Sequence, residues 1–348
     1  MENPNDILNG RCNSSQLRYD EVSQDWVVIS PGRGKRPEAF KRERIHSDML
    51  PQNCVFCNLE TGSKPLMAWA GGEKIMDGTL PSGWTLAVIP NKFPAFCPPV
   101  SSRIKKIHVG PVYHLTDAAG FCEVVITRDH NKSIALLEVA EVKEIIDAYH
   151  SRYIALKGNR FVKYISIFHN HGVEAGASQP HPHSQIITTP LIDVDLRGAL
   201  RNSQKYYRRT KKCLGCEMIA WELEAGVRLV CENDDFLALC PFASKVAFEV
   251  VITPKKHSPY FEQITEDEKN SLADIMSRVM KKIYKGLNDP PYNFYLHTAP
   301  ADGKDYNYYH WHFTIRPKTA TMAGFEMGAH MEISTIVPEA AAEYLRQQ

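Results

Sequence analysis

Two Cys-X-X-Cys pairs constrain the fold most strongly, because each is followed by the same ordered set of features. The pairs are Cys54–Cys57 and Cys213–Cys216, nearly half a chain length apart in 348 residues. After each pair come a Glu-Val-Val-Ile-Thr string that leads to a histidine, a helix-like stretch, an aromatic strand and a His-X-His strand. This repeated order predicts an internal duplication, in which two similar units are fused in one chain.

The repeats predict an α+β fold of two fused halves, each an antiparallel sheet with one long helix. Apolar side chains recur at helical spacing over residues 139–157 and 266–287, which are the predicted long helices. A polar and basic connector over residues 190–212 separates the halves, so we place the domains at 1–190 and 191–348. The first domain would carry the catalytic histidine strand and one metal site. The second would carry the other metal site and the C-terminal tail.

The cysteine pairs predict two zinc sites, because two thiolates and two further nitrogen or sulfur ligands complete a tetrahedral zinc site. Matching positions in the two halves give two ligand sets, which are Cys54, Cys57, His130 and His181, and Cys213, Cys216, His257 and His310. His297 and His312 compete with His310 for the last place in the second set. The alternative is a free buried cysteine, which we favour for those without a spaced partner: Cys12, Cys97, Cys122, Cys231 and Cys240.

The strand His181-Pro182-His183-Ser184-Gln185 is the most informative segment of the chain. Alternate side chains of a strand share a face, so a metal-bound His181 would aim His183. A neutral imidazole is a good nucleophile, and the Gln185 amide could hold a phosphoryl oxygen as negative charge shifts. Pro182 donates no ladder hydrogen bond, which predicts an edge or an irregular position for this strand. The alternative interpretation is that His183 only fills a polar niche beside a metal ligand.

Two glycine-containing segments suit phosphate binding. Residues 170–178 form a small-residue loop that runs into the histidine strand, where backbone N–H groups can approach an anion. Arg33, Lys35 and Arg36 form a basic turn that would meet a diphosphate. For this turn alone, a solvated basic surface is an equally good interpretation.

Composition narrows the classes of function. The chain has 41 Lys and Arg against 40 Asp and Glu, a net charge of +1, which argues against nucleic-acid binding. No apolar run approaches the ~18 residues of a membrane span, and the polar N-terminus lacks a signal core. Without such a signal, the nine cysteines are not expected to form a disulfide framework. These features predict a cytoplasmic protein without membrane or nucleic-acid partners.

Together these residues resemble the galactose-1-phosphate uridylyltransferase family of the histidine-triad superfamily, in its two-zinc type. The resemblance covers about residues 18–346, and the His-Pro-His-X-Gln strand is its most specific motif. It implies a homodimer of fused histidine-triad-like halves that acts by double displacement through a covalent nucleotidyl-histidine. In it, His183 is the nucleophile, Gln185 stabilises the intermediate, and both Cys/His sets bind zinc, with iron as an alternative in the second. It also implies substrate-binding roles for Arg33, Arg36, Asn91, Phe93, Asn170, Ser178, Phe325 and Glu326.

Several positions depart from the well-studied members of that family: Lys92, His171, Ser184 and Glu332. These departures leave the nucleobase and the hexose open. We expect a nucleotidyltransferase that exchanges UMP between UDP-glucose and galactose 1-phosphate. The alternative is an ADP-glucose phosphorylase that uses the same covalent histidine with AMP. A third hypothesis, of another class, is a zinc-stabilised nucleotide-binding module without turnover.

Overall fold

The computed structural model describes residues 15–33, 40–41, 50–59, 64–99, 104 and 106–348. The first half consists mainly of strands. Its one long helix lies between the strands Cys122–Thr127 and Tyr164–His171. Its elements are β1 (Gln16–Tyr19), β2 (Trp26–Ile29), β3 (Met67–Ala70), β4 (Glu73–Ile75), β5 (Trp84–Pro90), β6 (Lys106–Val109), β7 (Tyr113–Thr116), β8 (Cys122–Thr127), α1 (Val139–Lys157), β9 (Tyr164–His171) and β10 (His183–Thr189).

The second half begins with two helices, and the first of these occupies the predicted connector. Its elements are α2 (Val194–Thr210), α3 (Leu214–Ala225), β11 (Leu229–Glu232), β12 (Phe236–Leu239), β13 (Val250–Pro254), α4 (Glu266–Leu287), β14 (Tyr292–His297), β15 (His312–Pro317), α5 (Gly324–Ala329), β16 (Ile333–Ser334) and α6 (Pro338–Arg346). None of the helices in the described ranges combines the length and the apolar character that crossing a membrane requires.

One antiparallel sheet runs through both halves. Its eleven strands follow the order β11-β12-β13-β15-β14-β9-β10-β8-β5-β3-β4, and the halves meet where β14 pairs with β9. A small sheet of β1, β2 and β16 brings together the two ends of the described chain, and β6 with β7 forms a separate hairpin. The predicted α+β class and antiparallel sheets are therefore confirmed. The sheets of the two halves are continuous, which the repeats did not indicate.

The long helices α1 and α4 pack against each other on one face of the sheet. The apolar positions that predicted them are buried, namely Val142, Ile145, Ile146, Tyr149, Leu272, Ile275, Val279 and Ile283. Helix α4 begins with a capping box, in which Thr265 and Glu268 satisfy each other's backbone N–H groups. Because side chains alternate along a strand, the opposite face of the sheet carries His183 and Gln185.

A buried ion network fastens the N-terminal strand β1 to the C-terminal helix α6. Glu339 accepts hydrogen bonds from Arg18 at 2.9 Å and from Arg228 at 2.8 Å, and Arg228 also pairs with Glu222. Burial opposes ionisation of Glu339, but Arg18 and Arg228 prevail and lower the pKa of its carboxyl. The Phe242 ring lies beside both guanidinium groups, at 4.6 Å from Arg18 and 5.3 Å from Arg228.

Replacing Glu339 with glutamine should destabilise the fold by about 3 kcal/mol or more, because two nearly buried guanidinium groups would lose their shared anion. Urea unfolding measures this loss. The control is Glu343→Gln on the same helix, where the carboxylate is exposed. Equal midpoints for the two variants would contradict a stabilising role for the network.

Candidate active site and metal centres

The first Cys/His set comes together between the end of β8 and the start of β10. The Cys57 sulfur lies 3.3 Å from Nδ1 of His130 and 3.4 Å from Nδ1 of His181, and the Cys54 sulfur lies 3.5 Å from the latter. The four possible ligand atoms all lie within 4.8 Å of one another. Zinc bonds of about 2.3 Å to sulfur and about 2.0 Å to nitrogen separate such ligands by about 3.5 Å in a tetrahedron. The spacing therefore fits a tetrahedral metal site.

The second set forms a cluster of the same kind at the start of helix α3. The Cys216 sulfur lies 3.3 Å from Nδ1 of His257 and 3.5 Å from Nδ1 of His310. Cys213 is the N-cap of α3, and a Cβ at Gly215 would lie 2.6 Å from the Cβ of His310. The second cluster thus requires glycine between the cysteines, because His310 packs directly on the turn.

His310 is the histidine that joins the second cluster, whereas His297 and His312 do not. The rings of His297 and His312 contact each other at 4.8 Å between centroids, on paired residues of β14 and β15. His310 lies before the first residue of β15, so it reaches the cysteine turn instead of the open face of the sheet. The competing ligands considered from the sequence are therefore not brought to the cluster.

Backbone carbonyls orient three of the four cluster histidines, His181, His257 and His310. Nε2 of His181 lies 2.7 Å from the Thr127 carbonyl oxygen, and Nε2 of His310 lies 2.9 Å from that of Pro254. Nε2 of His257 lies 2.9 Å from the Asn307 carbonyl oxygen. A carbonyl only accepts, so each Nε2 carries the proton and each Nδ1 is left as the donor atom for a metal. Burial also lowers the pKa of His181 to about 4, which keeps its imidazole neutral.

The candidate nucleophile His183 opens strand β10, directly after the first cluster. Nδ1 of His183 lies 2.9 Å from the His181 carbonyl oxygen, so Nδ1 carries the proton and the Nε2 lone pair is available. Burial lowers the pKa of His183, which favours the neutral ring. The Phe56 ring packs 5.0 Å from the His183 ring and limits its rotation.

Strand β10 lies inside the sheet, between β8 and β9, so of the two positions predicted for it, an edge and an irregular place, the edge is excluded. Pro182 precedes the first residue of β10, where its missing N–H removes no ladder hydrogen bond. The irregular position is therefore at the start of the strand, between the two histidines.

Asn170 and the small-residue loop lie beside this strand. Ser184 pairs with His169 across β10 and β9, and the same register one step further sets Asn170 opposite His183. After β9, Gly172 and Gly176 have positive φ of 80° and 84° and enclose a 3₁₀ turn over Val173–Ala175. Glycine adopts this backbone without the steric cost that a Cβ would add.

Within the described part of the chain, the other residues predicted to bind the substrate form no hydrogen bond or ring contact with His183. The Asn91 side chain accepts a hydrogen bond from the Phe93 N–H at 2.9 Å, and Phe93 is 82% exposed. Phe325 and Glu326 lie on helix α5, Phe325 is 53% exposed, and Ser178 is also exposed. Arg33 ends a 3₁₀ turn, and Lys35 and Arg36 lie outside the described residues.

A buried hydrogen-bond chain beneath the nucleophile strand was not anticipated from the sequence. The Tyr149 hydroxyl lies 2.5 Å from Oγ of Ser184, which lies 3.1 Å from Nδ1 of His169. Ser184 is the residue between His183 and Gln185, so this chain ties their strand to helix α1. Of the cysteines expected to be free and buried, Cys122 and Cys240 are buried, whereas Cys231 is only partly buried and Cys97 is exposed. Cys12 lies outside the described residues.

Two halves that share one sheet, each with a Cys/His cluster followed two residues later by a further histidine, define a class of duplicated proteins with paired candidate metal sites. Family models match almost the whole chain: galactose-1-phosphate uridyl transferase, N-terminal domain, over residues 8–192, and its C-terminal domain over residues 199–348. The chain belongs to the galactose-1-phosphate uridyl transferase family. The family resemblance stated from the sequence is therefore confirmed, and the two-zinc type stays a prediction.

Two relatives match at nearly equal identity. An ADP-glucose phosphorylase from Arabidopsis thaliana is 30% identical over 339 residues, which cover 96% of this chain and 93% of the relative. A galactose-1-phosphate uridylyltransferase from Thermotoga maritima is 31% identical over 345 residues, which cover 95% of this chain and 98% of the relative. Both comparisons extend over both halves.

Solved structures agree with this assignment. An Arabidopsis thaliana ADP-glucose phosphorylase with bound ADP-glucose matches with a TM-score of 0.79 and 28% identity, covering 96% of this chain and 99% of that one. A structure of a uridylyltransferase matches with a TM-score of 0.69 and 25% identity, covering 96% and 98%. The fold is therefore that of the family throughout.

Proposed function

We propose that the protein is a nucleotidyltransferase that exchanges UMP between UDP-glucose and galactose 1-phosphate through a covalent intermediate on His183. The observation that carries this proposal is the fixed tautomer of His183. Its Nδ1–H donates to the His181 carbonyl, which leaves the Nε2 lone pair free. Side-chain alternation sets His183 and Gln185 on the same face of strand β10. Membership of the family supports the same chemistry.

The reaction proceeds in two displacements at one phosphorus atom. Nε2 of His183 attacks the α-phosphorus, a P–N bond forms, the P–O bond to the β-phosphate breaks, and hexose 1-phosphate leaves with the electron pair. The Nδ1–H bond to the His181 carbonyl stabilises the positive charge on the substituted ring. A phosphate oxygen of the second hexose 1-phosphate then attacks, the P–N bond breaks, and Nε2 regains its lone pair.

The remaining predicted residues receive the parts of this substrate. Gln185 and Asn170 donate to the phosphoryl oxygens, and Ser178 with Arg33 and Arg36 contacts the diphosphate. Asn91 and Phe93 contact the nucleoside. In the proposed homodimer, Phe325 and Glu326 contact the hexose in the partner subunit's site. Domain limits of 1–190 and 191–348 and a cytoplasmic location remain predictions from the sequence.

Each Cys/His cluster is proposed to hold one Zn²⁺, with iron as an alternative in the second. The tetrahedral spacing, the thiolate-rich donor sets and the carbonyl-bonded histidines support zinc. A bound ion would crosslink the cysteine turn to the histidine segment in each half. In the first half this fixes His181, and therefore the segment that presents His183.

The second candidate is an ADP-glucose phosphorylase that carries AMP on the same histidine and transfers it to inorganic phosphate. It is favoured by the TM-score of 0.79 with the ADP-glucose-bound structure, against 0.69 with the uridylyltransferase. The two candidates share the chemistry at His183 and differ in the base and the acceptor.

A nucleotide panel decides between them. Incubation with UDP-glucose alone should release one equivalent of glucose 1-phosphate and add the mass of one UMP group, seen by intact-protein mass spectrometry. The adduct should be acid-labile, as a phosphoramidate is. An adduct from ADP-glucose but not from UDP-glucose would replace the leading candidate with the second. Nucleotide binding without release of hexose phosphate from any nucleotide sugar would overturn both and leave a binding module.

A further inference from the structure

Asn293, on strand β14 of the second half, reaches into the site of the first half. It pairs in register with Asn170 across the junction of β14 and β9. Its side-chain Nδ2 donates to Oδ1 of Asn170 at 2.7 Å and to the Ala175 carbonyl oxygen at 2.8 Å. One side chain therefore contacts both a proposed phosphate-binding residue and the small-residue loop.

The Ala175 carbonyl determines which way both amides face. A backbone carbonyl only accepts, so Asn293 must turn its NH₂ group toward Ala175. The second hydrogen of that NH₂ group points to Asn170, and the atom of Asn170 that receives it must be Oδ1. The Asn170 NH₂ group is thereby left on the other side of its amide, and it has no acceptor among the described residues.

The free NH₂ group of Asn170 lies next to the proposed nucleophile. Residues directly opposite on antiparallel strands share a face, and the β9–β10 register, continued one residue beyond the Ser184–His169 pair, sets Asn170 opposite His183. A phosphoryl group attacked by His183 gains negative charge on its oxygens, which a preorganised donor stabilises. A flipped Asn170 would present a carbonyl oxygen there and repel the same charge.

The loop itself is also seated on the second half. A Cβ at Gly172 would lie 3.0 Å from Cβ of Pro291, so the loop backbone lies directly against the segment before β14. The 3₁₀ turn closes through Ala175 N–H to the Gly172 carbonyl at 3.1 Å and Gly176 N–H to the Val173 carbonyl at 2.9 Å. Asn293 adds a hydrogen bond from the second half to this turn, at the Ala175 carbonyl.

We infer that Asn293 is a positioning residue for nucleotidyl transfer, through which the second half orients the donor group of Asn170 and anchors the phosphate loop. The inference rests on the proposed function for its substrate class, a nucleoside diphosphate sugar. Asn293 itself does not contact the substrate, and it acts on the transferring phosphoryl group through Asn170.

Asn293→Asp tests the inference, because the carboxylate has nearly the same shape but cannot donate to Ala175 or Asn170. The rate of nucleotidyl-enzyme formation at saturating nucleotide sugar should fall by about 30- to 100-fold, as expected when a reacting group is mispositioned. KM should change far less, because the substrate contacts themselves remain. The matched control is Asn270→Asp, which makes the same change at an exposed position of helix α4.

A double mutant separates positioning from a general structural defect. If Asn293 acts through Asn170, the loss caused by Asn293→Asp should shrink to less than about threefold in an Asn170→Ala background, since coupled sites are not additive. Multiplicative losses, or a wild-type rate in Asn293→Asp, would overturn the inference. Absence of adduct from every nucleotide sugar in the wild-type protein would instead remove the proposed function on which it rests.

Discussion

Replacing His183 with alanine should abolish the covalent nucleotidyl-enzyme and lower the exchange rate on the order of 10⁵-fold or more, as the loss of a nucleophile does in other covalent catalysts. The physical reason is that no neighbouring group can replace Nε2. His181 has its Nδ1 directed at the cysteine sulfurs and its Nε2 bonded to the Thr127 carbonyl. Mass spectrometry after incubation with UDP-glucose and ADP-glucose measures the adduct directly.

The duplication supplies a matched control for this experiment. His312 occupies the corresponding place in the second half, two residues after a cluster histidine, and its Nδ1 lies 3.3 Å from the His310 carbonyl oxygen. His312→Ala should form the adduct at a rate within about twofold of wild type, a change smaller than ~1 kcal/mol. Equal adduct yields in His183→Ala and wild type would refute the assignment of the nucleophile.

Replacing Cys213 with serine should remove one of the two bound metal ions and lower the free energy of unfolding by about 3 kcal/mol or more, because a structural zinc contributes folding energy directly. The thiolate belongs to a cluster that joins the start of α3 to the segments before α4 and β15. Elemental analysis measures the metal, and urea unfolding measures the stability.

Comparison with Cys54→Ser sharpens this prediction. Both substitutions should cost one metal ion, but Cys54→Ser should also lower the adduct rate strongly, because its cluster includes His181, two residues before His183. Cys213→Ser should affect the adduct rate much less than the stability. The control is Cys97→Ser, at an exposed cysteine outside both clusters, which should leave the metal content, the adduct rate and the stability unchanged. A metal content near zero in active wild-type protein would disprove the assignment of zinc.

Local sequence was enough to identify the elements whose signals are short-range. The apolar spacing of residues 142–149 and 272–283 predicted the two long helices, because the buried stripe of a helix repeats within a few residues. Paired cysteines with histidines at matching positions predicted both clusters, because the duplication presents each ligand set twice. The His-Pro-His-X-Gln strand predicted the proposed nucleophile for a different reason, because alternate side chains of a strand share a face and His183 follows a predicted metal ligand by two residues.

Long-range pairing decided the features that the sequence did not indicate. Pro182 left open whether strand β10 lies at an edge or at an irregular position; the strand lies between β8 and β9, and no local pattern encodes which strands become neighbours. The hydrogen-bond chain from Tyr149 through Ser184 to His169 joins a helix to two strands. Asn293 is the exception, because it is the single amide in a strand of aromatic and apolar residues, Tyr292–His297.

The sequence by itself determined the fold class, the first ligand set, three ligands of the second set and the histidine proposed as nucleophile, because those depend on residue type and spacing. The tertiary structure decided that the halves share one sheet, that His310 and not His297 or His312 completes the second cluster, and that Asn293 faces Asn170. These outcomes depend on strand register, and a hydrogen bond between residues 123 positions apart forms only when register brings them opposite.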